Sequence, residues 1–130
     1  VMMQFMLDTN ICIYLIKAHP PAVLNRFAQF RKGEVVISAV TWAELCAGAG
    51  KDGAEMVQNL RRVLEVADFD TQAGVRYGEL TALHPNRKKS FDRMIAAHAL
   101  ALDVTLVSNN TADFAIYENS GLRLDNWVSD

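Results

Sequence analysis

The stretch Phe5-Met6-Leu7-Asp8-Thr9-Asn10 decides how the rest of the chain is interpreted. It begins with an apolar run of the length of a buried strand, and that run stops on a carboxylate. Thr9 or Asn10 is suited to cap a helix that begins with Ile11, since both side chains accept hydrogen bonds from the amides of a first helical turn. We therefore expect Asp8 at the carboxyl end of a first strand, where open α/β sheets bind ligands.

The composition is that of one globular domain spanning residues 1–130. The chain is 51% hydrophobic and 22% charged, which provides a core and argues against disorder. Its net charge of -2 argues against a general affinity for nucleic acid, so a polyanion would have to meet a local basic patch. No paired cysteine motif, signal peptide or membrane-spanning run is visible, and we therefore expect a cytoplasmic protein with no membrane partner.

Strand and helix patterns alternate along the chain. Apolar or β-branched runs predict further strands at residues 34–38, 66–69, 104–108 and 122–127. Helical spacing predicts helices between them, and residues 91–102 have the clearest helical pattern, with an apolar stripe along one side. A Thr-x-x-Glu capping box at residues 41–44 predicts the start of a helix that Gly48 and Gly50 close. This alternation predicts a single α/β domain with a mostly parallel central sheet and helices on both faces.

Side chains whose oxygen atoms can bind a metal ion follow the predicted strands or begin the predicted helix at residues 91–102. In chain order they are Asp8, Glu44, Asp92, Asn110 and Asp113. Because parallel strands bring their carboxyl ends to one edge of a sheet, we expect these side chains to converge. Crowded carboxylates retain protons unless a cation meets them, and an all-oxygen set suits Mg²⁺ or Mn²⁺ better than Zn²⁺. The pattern predicts a metal-dependent phosphodiesterase.

Each of these residues also has an ordinary structural explanation. Asp8 can cap a helix, and Glu44 can be the last residue of the capping box. Asp92 in a first helical turn complements the helix dipole. Asn110 and Asp113 can be turn residues. Only their joint placement on one predicted edge favours a functional site.

These segments, in this order and spacing, resemble the PIN-domain ribonucleases, and in particular the VapC toxins of bacterial type II toxin-antitoxin modules. The resemblance covers nearly the whole chain and is carried by residues 6–11, 37–48, 91–99, 106–114 and 121–127. This sequence departs from the pattern in two places. Asn110 stands where many PIN domains have an aspartate, and the segment before Asp92 is shorter than in many relatives and lacks their usual glycine.

The resemblance implies a Mg²⁺-dependent endoribonuclease, with Mn²⁺ as a possible substitute. Its expected substrate is a structured RNA such as transfer RNA, whose cleavage inhibits translation. It also implies a VapB-like antitoxin as partner and a homodimer as the common unit. The alternative is a PIN-like binding module with weak or no catalysis, which acts through contacts with its partners.

The resemblance also implies roles for individual residues. Asp8 and Asp92 correspond to direct metal ligands, and Glu44 to a ligand through water or to a residue that orients the nucleophile. Either Asn110 or Asp113 completes the set. The residues expected to support these ligands are Thr9, Asn10 and Ser108.

A basic run lies beside Asp92 in sequence. Its members, which we expect to hold RNA phosphates, are Arg87, Lys88, Lys89 and Arg93. A solvated loop is the alternative explanation. His98, on the apolar stripe of the same predicted helix, is expected to be a packed residue and not a general base.

Phosphoacceptor domains also place an aspartate at the end of their first strand. The haloacid dehalogenase type requires a second aspartate two residues later, where this chain has Asn10. Receiver domains require an acidic pair before the acceptor strand. Neither requirement is met, so both classes are disfavoured.

Overall fold

A parallel sheet organises the computed structural model, which describes residues 2–88 and 90–128. The strands in this part of the chain are β1 (Phe5–Leu7), β2 (Val35–Ser38), β3 (Glu65–Ala67), β4 (Thr105–Val107) and β5 (Leu124–Asp125). They pair in the order β3-β2-β1-β4-β5, every pair parallel. The helices are α1 (Thr9–Lys17), α2 (Pro21–Phe27), α3 (Ala39–Leu60), α4 (Thr71–Leu83), α5 (Phe91–Leu102) and α6 (Thr111–Phe114), followed by a 3₁₀ segment at Ala115–Ser120.

Strand β1 lies at the centre of the sheet and contributes to the cores on both faces. Met6 pairs with Val36 on one side and Leu106 on the other, and all three belong to one hydrophobic cluster. Leu7 belongs to the second cluster, together with Val107. This alternation follows from the two-residue period of a strand, which sends successive side chains to opposite faces.

Helices cover both faces of the sheet, as the sequence predicts. On one face α4 and α5 supply buried residues to the first cluster, among them Leu80 and Ile95. On the other face α1, α2 and α3 supply the second cluster through Ile11, Val23 and Leu60. Since parallel strands are buried on both sides, continuous apolar runs were the correct strand signal. The expected fold class, a single α/β domain with a mostly parallel central sheet and helices on both faces, is confirmed.

Two predicted helix caps are wrong. The N-cap of α1 is Asp8, whose side chain accepts a hydrogen bond from the Ile11 amide, and not Thr9 or Asn10. Helix α3 begins at Ala39, capped by Ser38 through a bond to the Val40 amide, so the capping box at residues 41–44 lies inside the helix. The helix follows directly from the end of β2, which leaves no connecting loop for a later start.

The predicted end of the helix after β2 is partly correct. Helical residues continue through Gly48, but Gly50 has φ 62° and ψ -168° and kinks α3 before it resumes. That conformation is essentially confined to glycine. Among the described residues, no helix is both long and apolar enough to cross a membrane.

We predict opposite effects of alanine at the two glycines. Neither Cβ would meet another atom within 4 Å, so the two substitutions differ only in backbone conformation. Gly50→Ala should lower the free energy of unfolding by about 1–3 kcal/mol, because it forces a non-glycine residue into this region. Gly48→Ala, the matched control, should raise it by up to about 1 kcal/mol. Urea unfolding of both variants tests this, and equal effects would contradict it.

Candidate active site

The buried carboxylate of Asp8 is at the centre of the site. Its side chain lies where β1 ends and is 4% exposed. Its Oδ1 accepts a 2.9 Å hydrogen bond from the Ile11 amide, and Ser108 supplies a further hydrogen bond. Burial raises the pKa of Asp8 above its ordinary value, and the charges of Asp92 and Glu44 raise it further. The two hydrogen bonds oppose this shift without cancelling it.

Glu44 approaches the same edge from α3. The Thr9 hydroxyl donates a 2.8 Å hydrogen bond to Glu44 Oε1, which joins the first turn of α1 to α3. Thr9, which the sequence places among the expected supporting residues, therefore limits the orientation of the Glu44 carboxylate. Asn10 is exposed, and the structure shows no hydrogen bond from its side chain to another described residue.

Asp92 and Asp113 form the other half of the site. Both line an open cavity of about 270 Å³. Burial raises the pKa of Asp92, and the charge of Asp113 raises it further. Asp92 is thus electrostatically coupled to Asp8 on one side and to Asp113 on the other.

Ser108 and Asn110 connect β4 to this group. The Ser108 hydroxyl is fully buried, accepts a 2.9 Å bond from the Asn110 amide and is hydrogen-bonded to Asp8. The side-chain amide of Asn110 donates a short hydrogen bond to Asp113 Oδ2. Ser108 therefore lies beside Asp8, and Asn110 and Asp113 form a hydrogen-bonded pair.

The chemistry of these donors fits a hard divalent cation. Within residues 2–88 and 90–128, no three acidic, histidine or cysteine side chains are close enough to form a complete metal-ligand set. Mg²⁺ does not require one, since it usually takes one or two protein carboxylates and retains several waters. Asp8 and Asp92 offer such a pair. Burial first and neighbouring charges second raise the pKa of both carboxyls, and a cation would relieve both effects.

The predicted basic residues do not share one environment. Arg87 and Lys88 are exposed and line the cavity with Asp92 and Asp113. Arg93 is 0% exposed, so the structure does not support a direct contact between Arg93 and RNA phosphate. Lys89 lies outside the described residues.

His98 is packed, as its position on the apolar stripe predicts. It is 1% exposed, its Nδ1 lies 2.8 Å from the Ser38 hydroxyl, and its ring packs edge-on against Phe69. Burial lowers the pKa of His98.

Tyr117 was missed by the sequence reasoning. It is buried and lines the same cavity as Asp92 and Asp113. Its position four residues after Asp113, a spacing that brings two side chains together on an α-helix, is a signal that could have indicated it.

Comparison with known proteins identifies the family. The PIN domain profile matches residues 5–119. The chain belongs to the PIN-domain family. A tRNA(fMet)-specific endonuclease VapC of Shigella flexneri is 36% identical to this PIN domain, across 97% of this chain and 99% of the relative. Ribonuclease VapC2 of Haemophilus influenzae (strain ATCC 51907 / DSM 11121 / KW20 / Rd) is 35% identical, across 98% and 100%. The predicted resemblance to VapC ribonucleases is confirmed.

Solved structures agree with this assignment. A DNA-bound VapBC complex from Salmonella typhimurium contains a chain that superimposes on this PIN domain with a TM-score of 0.85 and 34% identity, covering 97% of this chain and 99% of that chain. A promoter-bound VapBC2 complex from Rickettsia felis gives a TM-score of 0.83 and 33% identity, covering 96% and 99%. The fold and the VapC type are thus supported by sequence and by structure.

We predict that Asp92→Asn raises the midpoint of thermal unfolding in metal-free buffer near neutral pH. The substitution removes a charge that burial and Asp113 disfavour, and we expect a gain on the order of 1 kcal/mol. Because the folded pKa is raised, the protonated carboxyl is favoured by folding, and that contribution is lost as pH rises through the folded pKa. The advantage of the variant should therefore grow between about pH 4 and about pH 7.

Asp103→Asn is the control for this measurement. Asp103 is an exposed carboxylate with φ 55° at the end of α5, a conformation that asparagine tolerates. It should leave the midpoint nearly unchanged. A lower midpoint for Asp92→Asn at neutral pH would show that Asp92 matters mainly to the helix dipole.

Proposed function

We propose that this protein is a Mg²⁺-dependent endoribonuclease and the toxin of a type II toxin-antitoxin module. The observation that carries the proposal is the burial of Asp8 beside the charges of Asp92 and Glu44. Such an arrangement is unfavourable for folding alone and useful for holding a cation. The VapC ribonucleases that resemble the chain over its whole length support the same activity.

Each residue of the site has a distinct proposed role in binding the metal ion or orienting water. Asp8 and Asp92 would hold the ion, and Asp113 with Asn110 would complete its surroundings. Mg²⁺, or Mn²⁺ in its place, supplies a charge that lowers the pKa of water and offsets charge on the phosphate. Glu44, held by the Thr9 hydroxyl, orients the attacking water.

The substrate is proposed to be a structured RNA, with transfer RNA as the first candidate. Arg87 and Lys88 lie on the same cavity as Asp92 and Asp113, so a phosphate held by the cations would lie beside the acidic group. Arg87 and Lys88 thus provide a local attraction for phosphate that a chain with a net charge of -2 does not provide as a whole. A relative named as a tRNA(fMet)-specific endonuclease supports the choice. Cleavage of transfer RNA would inhibit translation.

The proposed partner is a VapB-like antitoxin, and the proposed unit is a homodimer in the cytoplasm. The antitoxin is supported by the solved VapBC complexes that share this fold. A groove of about 350 Å³ between α1, α2 and α3 offers a partner apolar surface, with Met56 and Val63 each 49% exposed on its lining.

A binding module with weak catalysis is the second candidate. It is favoured by the amide at Asn110 and by the lack of a complete ligand set among the described residues. The two candidates differ in whether RNA is cut when the carboxylates are intact.

We predict that Asp8→Asn abolishes Mg²⁺-dependent RNA cleavage, lowering the rate roughly a hundredfold or more. The substitution retains Oδ1 as an acceptor for the Ile11 amide, so the cap is preserved while the charge is lost. Asp103→Asn, which removes an exposed carboxylate elsewhere, should cleave like the unmodified protein. Gel assays of transfer RNA with Mg²⁺ or with EDTA measure this.

The same assay also separates the nuclease from the binding module. Equal cleavage by the unmodified protein and Asp8→Asn would indicate a contaminating nuclease and contradict the proposed function. RNA binding by the unmodified protein without Mg²⁺-dependent cleavage would favour the binding module.

A further inference from the structure

Arg93 is a buried cation bonded to neutral oxygens. Its side chain is 0% exposed, although it directly follows Asp92. Nε donates to the Tyr117 hydroxyl and Nη1 to the Thr81 hydroxyl, both at 3.3 Å. Nη2 donates to two backbone carbonyls, that of His84 at 3.3 Å and that of Arg87 at 3.1 Å. Arg93 therefore ties α4, the segment after α4 and the 3₁₀ segment to the first turn of α5.

Among the described residues, Arg93 has no anionic partner. In the described part of the chain, the ion pairs within 4.0 Å involve Arg26, Arg76 and Arg123, and none involves Arg93. A buried charge is unfavourable unless its hydrogen bonds are satisfied, so the guanidinium group depends on these oxygens. In turn, the two carbonyls are held where the guanidinium requires them.

Those carbonyls belong to the segment that carries the exposed cations. The carbonyl of Arg87 is bonded to Arg93, while the Arg87 side chain lines the cavity shared by Lys88, Asp92 and Asp113. Tyr117 also lines that cavity while it accepts a bond from Arg93. A single buried side chain thus contacts both the segment that carries the basic residues of the cavity and Tyr117 on its lining.

We propose that Arg93 is a positioning residue for substrate binding. It fixes the course of residues 84–88, so that Arg87 and Lys88 present a phosphate to the carboxylates of Asp92 and Asp113. This inference rests on the proposed function for its link to RNA, but its structural part does not. Arg93 acts through the backbone of the neighbouring segment and not through its own charge.

Lysine cannot replace arginine in this role. The planar guanidinium spreads five donors over three nitrogens, and the structure uses all three nitrogens in different directions. A lysine ammonium has its donors on one atom and cannot reach the Tyr117 hydroxyl, the Thr81 hydroxyl and both carbonyls. Arg93→Lys therefore retains the positive charge but loses the arrangement of donors that reaches all four acceptors.

The experiment compares Arg93→Lys with Arg26→Lys, a control on α2 whose side chain makes a partly buried ion pair with Asp125. Hydrogen exchange should become faster for peptides covering residues 84–91 in Arg93→Lys and remain unchanged in the control. In steady-state cleavage of transfer RNA, KM should rise roughly tenfold while kcat changes less than about threefold, as expected for misplaced charge-assisted phosphate contacts. The salt dependence of RNA binding should fall by roughly 0.7 in log-log slope per lost phosphate contact.

A second comparison tests whether Arg93 acts through its neighbours. Replacing Arg87 and Lys88 by glutamine should also raise KM, and adding Arg93→Lys to that variant should raise it little further. An additive effect would overturn the proposal, because it would show that Arg93 acts by another route.

Two milder variants keep the test valid if Arg93→Lys fails to fold. Thr81→Val and Tyr117→Phe each remove one acceptor and preserve the shape of the side chain. Together they should accelerate exchange in residues 84–91 and raise KM in the same direction. Unchanged exchange, or a loss confined to kcat, would overturn the proposal. If the unmodified protein cleaves no RNA, the proposed function fails, while hydrogen exchange still decides the role of Arg93.

Discussion

The carboxylate of Asp8 is the constraint on which the rest of the structure depends. It stands at the end of the central strand, excluded from water and close to the charges of Asp92 and Glu44. Two hydrogen bonds hold it but do not offset the loss of hydration, so its pKa stays raised. The sheet therefore keeps an unfavourable charge at the point where a cation would make it favourable, a compromise typical of functional sites.

The basic side chains near the site also differ in whether they serve stability or function. The charge of Arg93 is buried inside the protein, where its guanidinium group donates hydrogen bonds to two backbone carbonyls. Arg87 and Lys88 remain exposed on the cavity and are free to meet a ligand. A chain with a net charge of -2 can thus present a short basic surface beside its acidic group.

The sequence predicted those features that depend on local pattern and failed on those that depend on distant partners. Apolar strands alternating with helices predict a parallel sheet, and parallel strands necessarily gather Asp8 and Glu44 at one edge. The predicted cap of α3 was wrong because Ser38 and Thr41 are both acceptable cap residues, and only the end of β2 decides between them. The burial of Arg93 was beyond prediction, since its acceptors include Thr81 and Tyr117, 12 and 24 residues away.

The hydrogen bond between Asn110 and Asp113 gives physical meaning to the departure from the family pattern. An aspartate at position 110 would place a second carboxylate against Asp113, which already raises the pKa of Asp92 by repulsion. The amide instead donates a hydrogen bond to Asp113, which limits the orientation of that carboxylate. Asn110 is thus the donor of the pair and Asp113 the acceptor. The substitution then removes one charge from the site while keeping a carboxylate beside Asp92.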